Sequence, residues 1–219
     1  MRHFFVISGG NVEEAFVRGV LGRQPSALIA ADSGMDFCYR NGIKPDVIVG
    51  DFDSADSEAL AAFEGRPDIR MIRLNPVKDD TDTESAVRLA IKMGAEQITL
   101  LGGTGSRLDH VLGNIELLGI GLQAGVPMML LDSHNRVRMI DAGITLERAE
   151  QFGDYVSLIP YSAQVEHLYL KGFKYPLTDY CLEGFCSLGV SNEIVAERGE
   201  ITFDGGILLV IESRDDVRG

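Results

Sequence analysis

The stretch Asp46-Val-Ile-Val-Gly-Asp51-Phe-Asp53-Ser54 decides the fold. Val47 to Val49 form a short apolar run that reads as a strand buried in a parallel sheet. It ends in a glycine followed by two carboxylates one residue apart. Open α/β sheets gather their ligands at the carboxyl ends of strands, where such a pair can hold a divalent cation. Taken alone, the segment fits a solvated acidic turn equally well. Repetition tips the balance, because two more acid-bearing strand-to-helix junctions follow at Lys78-Asp-Asp-Thr-Asp82 and Arg107-Leu-Asp109-His110.

Working outward, the first two thirds of the chain alternate strand and helix. Apolar runs at His3–Ser8, Ala27–Ala31, Val47–Val49, Ile69–Leu74, Gln97–Leu101 and Met128–Leu131 read as strands. Helical patterns lie between them over Asn11–Leu21, with Asn11 as N-cap, and over Ala55–Phe63. Two more cover Thr81–Met93, with Thr81 and Glu84 in capping-box spacing, and Leu108–Gln123, closed by Gly125. This alternation predicts a doubly wound, mostly parallel, Rossmann-like α/β domain over residues 1–140. From Ile144 onward short runs replace the helices: Tyr155–Ile159, His167–Leu170, Ser187–Val190, Glu200–Phe203 and Ile207–Ile211, separated by turns such as Asp204-Gly205-Gly206. They predict an antiparallel β-sandwich over residues 141–219.

With 219 residues and 45% hydrophobic content, the chain can bury a real core. A net charge of −13 argues against general nucleic-acid binding, which needs a basic face, and allows metal ions and cationic small molecules. No apolar run approaches the ~18 residues of a membrane helix. Cys38, Cys181 and Cys186 lack zinc spacing, and their odd number without a leader points to reduced thiols in the cytoplasm. His3, His134 and His167 share no metal-ligand spacing.

The chemistry concentrates at the strand ends. There is no Walker-type phosphate loop, and Gly103-Thr-Gly105 does not complete the dinucleotide fingerprint, which disfavours a nicotinamide oxidoreductase. Gly9-Gly10 and Gly102-Gly103 each follow a strand and precede a helix, a junction that offers close backbone approach and N–H groups to an anion. Asp32 closes the second strand, Asp51 and Asp53 the third. Asp82 opens a later helix beside Lys78, and Arg107 and Asp109 open the next. Acids alone would repel ATP, which carries a charge of ~−4; bridging Mg²⁺ reverses the sign while an Arg and a Lys hold the remaining oxygens. Metal-dependent phosphoryl chemistry is the reading these residues support. His110, next to Asp109, fits either a phosphate contact or a structural hydrogen bond.

The ordered set resembles the thiamine pyrophosphokinase family. It comprises Asp32-Ser-Gly34, Lys44-Pro-Asp46 leading to Gly50-Asp-Phe-Asp-Ser54, Asp79-Asp-Thr-Asp82, Gly102-Gly103 with Arg107-x-Asp109-His110 and Asn114, then Ser191-Asn192-Glu193-Ile194 and Ser213-Arg-Asp215. The resemblance implies transfer of a pyrophosphoryl group from ATP to thiamine, Mg²⁺ dependence, and a homodimer whose active sites are shared between subunits. It further implies Asp51, Asp53 and Asp82 as metal and catalytic carboxylates, Arg107 and Asp109 as the polyphosphate grip, and Asp32 as their support. Ser191 and Asn192 are implied in the vitamin pocket, Asn192 being able to donate to and accept from an aminopyrimidine. One feature departs from the family: some members stack the vitamin on a tryptophan, and this chain has none. The competing readings are a pyrophosphokinase for another hydroxymethyl heterocycle, such as a pterin, and a non-catalytic nucleotide- or thiamine-binding module. The retained carboxylates argue against the second, because binding alone does not require them.

Overall fold

The computed structural model describes residues 1–53, 55–75 and 79–216. The chain divides into two compact units, Met1–Ser133 and His134–Gly219. The first carries β1 (His3–Ile7), α1 (Glu14–Leu21), β2 (Ala27–Ala31), α2 (Gly34–Arg40), β3 (Val47–Gly50), α3 (Ser57–Phe63), β4 (Arg70–Arg73), α4 (Asp82–Lys92), β5 (Gln97–Leu101), α5 (Leu108–Glu116), α6 (Leu118–Gln123) and β6 (Met128–Leu131). Its strands pair in parallel in the order β4-β3-β2-β1-β5-β6. The strand order reverses between β1 and β5, the kind of switch point at which open α/β sheets leave a crevice for ligands. Burial on both faces explains why β1, β2 and β3 read as continuous apolar runs rather than alternating ones.

Helix boundaries follow local chemistry. Thr81 caps α4 by accepting from Glu84 N–H at 3.1 Å, and Asp56 caps α3 by accepting from Glu58 N–H at 2.9 Å. Asn11 is not the cap of α1: its N–H is drawn to Thr104 O at 2.6 Å, and the helix begins three residues later behind Glu13. The pattern expected as one helix from Leu108 to Gln123 breaks at Leu117, where an i→i+3 bond from Ile120 N–H to Leu117 O tightens the turn. Gly121 then lets α6 close on its own strand, since a Cβ there would come within 2.7 Å of Met128 Cβ.

The second unit carries β7 (Asn135–Ile140), β8 (Ile144–Glu147), β9 (Tyr155–Pro160), β10 (Gln164–Lys171), β11 (Leu177–Glu183), β12 (Arg198–Thr202) and β13 (Leu208–Ser213). They form two antiparallel sheets, β7-β13-β9 and β11-β10-β12-β8. Val156, Leu158 and Val210 from one sheet share a core with Val165, Leu168 and Ile201 from the other, which makes the unit a β-sandwich. The division after residue 140 is corrected to Ser133, because β7 pairs along its length with β13 and so belongs to the sandwich. Ser187–Val190 is not a strand. Val190 N–H turns back to Ser187 O, and Leu188 and Val190 face solvent. No helix among the described residues is long and apolar enough to cross a membrane.

Candidate active site

The reversal between β1 and β5 opens a cleft of about 630 Å³, within the range of small-molecule sites. Its floor is two glycine turns that hold one another. Gly10 N–H donates to Gly102 O at 2.9 Å, beside the bond from Asn11 to Thr104. A Cβ on Gly10 would lie 2.2 Å from Thr104 O and 2.3 Å from Gly102 O, so no side chain fits there. Gly102 has φ +67°, which glycine adopts without cost. This corrects one expectation: the N–H of Gly10 is spent inside the floor, and Gly10 serves close approach rather than anion binding. Asn114, from α5, donates to Gly103 O at 2.9 Å and pins the second turn from above.

Asp32 and Ser33, at the end of β2, line the cleft with Thr81, Asp82 and Thr83, at the start of α4, and with Arg107, His110 and Asn114. Asp32 sits at φ +50°, a left-handed conformation that aspartate tolerates better than most residues. Burial raises its carboxyl above the usual range, and the charges of Asp82, Asp51 and Asp36 raise it further, against a backbone hydrogen bond from Ser33. Repulsion of this kind marks a place that a cation would stabilise.

Asp51 and Asp53 do not line the cleft but form a turn beside it, where Asp53 N–H donates to Asp51 Oδ1 at 3.0 Å. Between them Phe52 stands at φ +65°, buried, with the Arg73 guanidinium 5.2 Å from its ring centroid. Among the described residues no group of three His, Cys, Asp or Glu side chains is gathered closely enough to hold a metal unaided. Asp82 reaches toward this turn, its Oδ2 3.5 Å from where a Cβ on Gly50 would stand.

Arg107 and Asp109 pair through two bonds, Nε to Oδ1 at 3.2 Å and Nη2 to Oδ2 at 2.5 Å. The guanidinium holds the Asp109 carboxyl down at about 2, with a further bond from His110 N–H. Arg107 faces the cleft, whereas Asp109 faces an adjoining groove between α4 and α5. Lys78 lies outside the described residues. Sequence reasoning missed Thr83 and Thr104 as cleft residues. The second had a signal in its place between glycines, the first none.

Ser191 and Asn192 stand in the second unit. Ser191 is exposed, at φ +58°, with its N–H donated to Ser157 Oγ at 3.0 Å. Asn192 is only 7% exposed, and its carboxamide is engaged locally. Oδ1 accepts from Tyr175 and Glu193 N–H, while Nδ2 donates to Tyr175 O. An amide so committed orders its own loop; the two-sided recognition of an aminopyrimidine expected from the sequence is not open to it.

Comparison with known proteins bears on both units separately. The profile of the thiamin pyrophosphokinase catalytic domain matches residues 21–130, and that of the thiamin pyrophosphokinase vitamin B1 binding domain matches residues 143–208. The chain belongs to the thiamine pyrophosphokinase family. The thiamine pyrophosphokinase of Bacillus subtilis (strain 168) is 34% identical over 188 residues, covering 85% of this chain and 87% of its own. A crystal structure of thiamine pyrophosphokinase from B. subtilis superposes with a TM-score of 0.88 at 31% identity, over 98% of this chain and all of that one. That of Geobacillus thermodenitrificans gives 0.85 at 32% identity, over 98% of each chain. The two glycine turns, with Asp32, Asp82 and Arg107 beside them, are how this member of the thiamine pyrophosphokinases builds its cleft.

Proposed function

We infer that this chain transfers the pyrophosphoryl group of ATP to the hydroxyl of thiamine, yielding thiamine diphosphate and AMP. The observation that carries the reading is the match of both units, in order, to the two halves of one family. A pterin pyrophosphokinase or a simple binding module would not call for a vitamin B1 binding domain beside a catalytic one.

ATP, the co-substrate, lies with its polyphosphate on the glycine floor. Arg107 offers a planar fork to two phosphate oxygens, and Asp109 holds that fork in orientation. His110 and Asn114 line the cleft with Arg107, with Lys78 assigned to the same polyphosphate. Mg²⁺ fits beside Asp32 and Asp82: such an ion would be held by one or two carboxylates together with substrate phosphates rather than by an all-protein cage, and the acidic crowding around Asp32 is of the right sign. Asp51, Asp53 and Asp82 would hold it, with Asp32 behind them. When bound it neutralises the polyphosphate and polarises the phosphorus under attack. A rim carboxylate takes the hydroxyl proton as the thiamine oxygen attacks the β-phosphorus, since an alcohol is a poor nucleophile unaided.

The sandwich takes the vitamin, with Ser191 at the pocket and Asn192 holding its loop. The negative field of the chain favours the cationic thiazolium. The working unit is a homodimer in which the sandwich of one chain serves the cleft of the other. Leu108 and Leu112, 75% and 62% exposed one turn apart on α5, support a partner surface there. A cytoplasmic setting fits the three unpaired cysteines. Incubation with ATP, Mg²⁺ and either thiamine or a hydroxymethylpterin tests the assignment. Diphosphorylated thiamine supports it, and turnover of the pterin alone refutes it.

A further inference from the structure

Two buried hydroxyls meet at the back of the cleft. Ser8, directly after β1, and Thr83, the second residue of α4, are 6% and 7% exposed, and their oxygens lie 2.6 Å apart. One donates and the other accepts. A join made only for packing would be simpler with two apolar side chains, which carry no desolvation cost. The pair sits where its effect on the cleft is greatest. Thr81 caps α4 on one side of Asp82, and Thr83 anchors it to β1 on the other. The backbone of Asp82 is therefore held from both sides, and its carboxylate is directed over Gly50.

We propose that the Ser8–Thr83 hydroxyl pair is a positioning element of the reaction, setting the rotation of the first turn of α4 and hence the place of Asp82 relative to the glycine floor. The inference rests on the reading of Asp82 as a carboxylate that serves magnesium-bound ATP. The two hydroxyls are engaged with each other, and the proposed effect runs through Asp82.

The test is a double-mutant cycle read in three ways: thermal stability, the Mg²⁺ concentration for half-maximal ATP binding measured without thiamine, and steady-state turnover. Thr83→Val removes one hydroxyl with little change of shape and leaves the other buried without its partner. Ser8→Ala does the reverse and carries the same readouts should Thr83→Val fail to fold. The double variant removes both groups and so relieves the stranded one. Positioning predicts that the double variant regains stability but not function. Its Mg²⁺ requirement stays raised ~10-fold or more and kcat stays depressed, on the scale of losing a residue that orients a metal ligand. Metal-free ATP binding and the KM for thiamine stay at wild-type values, and Thr83→Ser restores every readout. A double variant with the wild-type Mg²⁺ requirement and kcat overturns the proposal, as does loss of metal-free ATP binding or a wild type whose ATP binding ignores Mg²⁺. A wild type that binds ATP with Mg²⁺ yet makes no thiamine diphosphate refutes the proposed activity, leaving the binding readout to decide on the hydroxyls.

Discussion

Replacing Gly10 with alanine adds one methyl group where two backbone carbonyl oxygens already stand, 2.2 and 2.3 Å from the new carbon. Neither belongs to a flexible side chain, so relief requires the two turns to part by roughly 1 Å to reach ordinary contact. That movement breaks the bonds from Gly10 to Gly102 and from Asn11 to Thr104. At ~1 kcal/mol for each bond the loss is ~2 kcal/mol, or ~5 °C in the unfolding temperature of a chain of this size. The same displacement moves the glycine floor on which the polyphosphate is proposed to lie, and a misplacement of ~1 Å can cost ~10²-fold in rate. Gly19→Ala is the control: it lies within α1 with nothing within 4 Å of the added Cβ, so it should stabilise by ~0.5–1 kcal/mol and leave turnover alone. Scanning calorimetry and ATP-dependent kinetics on both variants check the pair. A Gly10→Ala protein that melts like the wild type and saturates with ATP normally would refute the close approach of the two turns.

Three further expectations follow from the same geometry. Asp51→Asn, Asp53→Asn and Asp82→Asn should each lower turnover by ~10²-fold or more in steady-state assays while the fold persists; Asp56→Asn should be nearly silent, because asparagine caps α3 as well as aspartate does. Asp32→Asn should raise the melting temperature at pH 7 while weakening magnesium-dependent activity. The folded state holds the Asp32 proton more tightly than the unfolded chain, so stability falls as pH rises from the ordinary carboxylate range through the raised value, and the deficit persists at neutrality. The gain should vanish in melts near pH 3, where both states are protonated. Asn192→Ala strands Tyr175 and Glu193 N–H groups and should destabilise the sandwich by ~2 kcal/mol, a loss that near-wild-type melting would contradict.

The parallel half of the fold was legible because strands buried on both faces are written as apolar runs, and because Thr81 and Gly125 punctuate their helices. The sandwich was less so. Strand β11 is an edge strand, exposed along most of its length, and β7 carries Arg136 and Arg138 in positions that apolar patterning treats as loop. Those arginines are tolerated because the fully buried Glu212, 76 and 74 residues away in sequence, accepts hydrogen bonds from both. No local window contains that pairing. The cleft was read from glycine turns and acids, which are local signals. What stayed hidden was which groups are already spent: the Gly10 N–H on Gly102 and the Asn192 amide on Tyr175. Such commitments are tertiary facts, and they separate residues that can meet a ligand from those that hold others in place.

The most direct test of the account follows phosphorus by NMR as the purified protein acts on ATP and thiamine with Mg²⁺. Attack at the β-phosphorus predicts AMP and thiamine diphosphate appearing in equal amounts from the first turnovers. ADP with thiamine monophosphate, or hydrolysis of ATP without a phosphorylated vitamin, would contradict it.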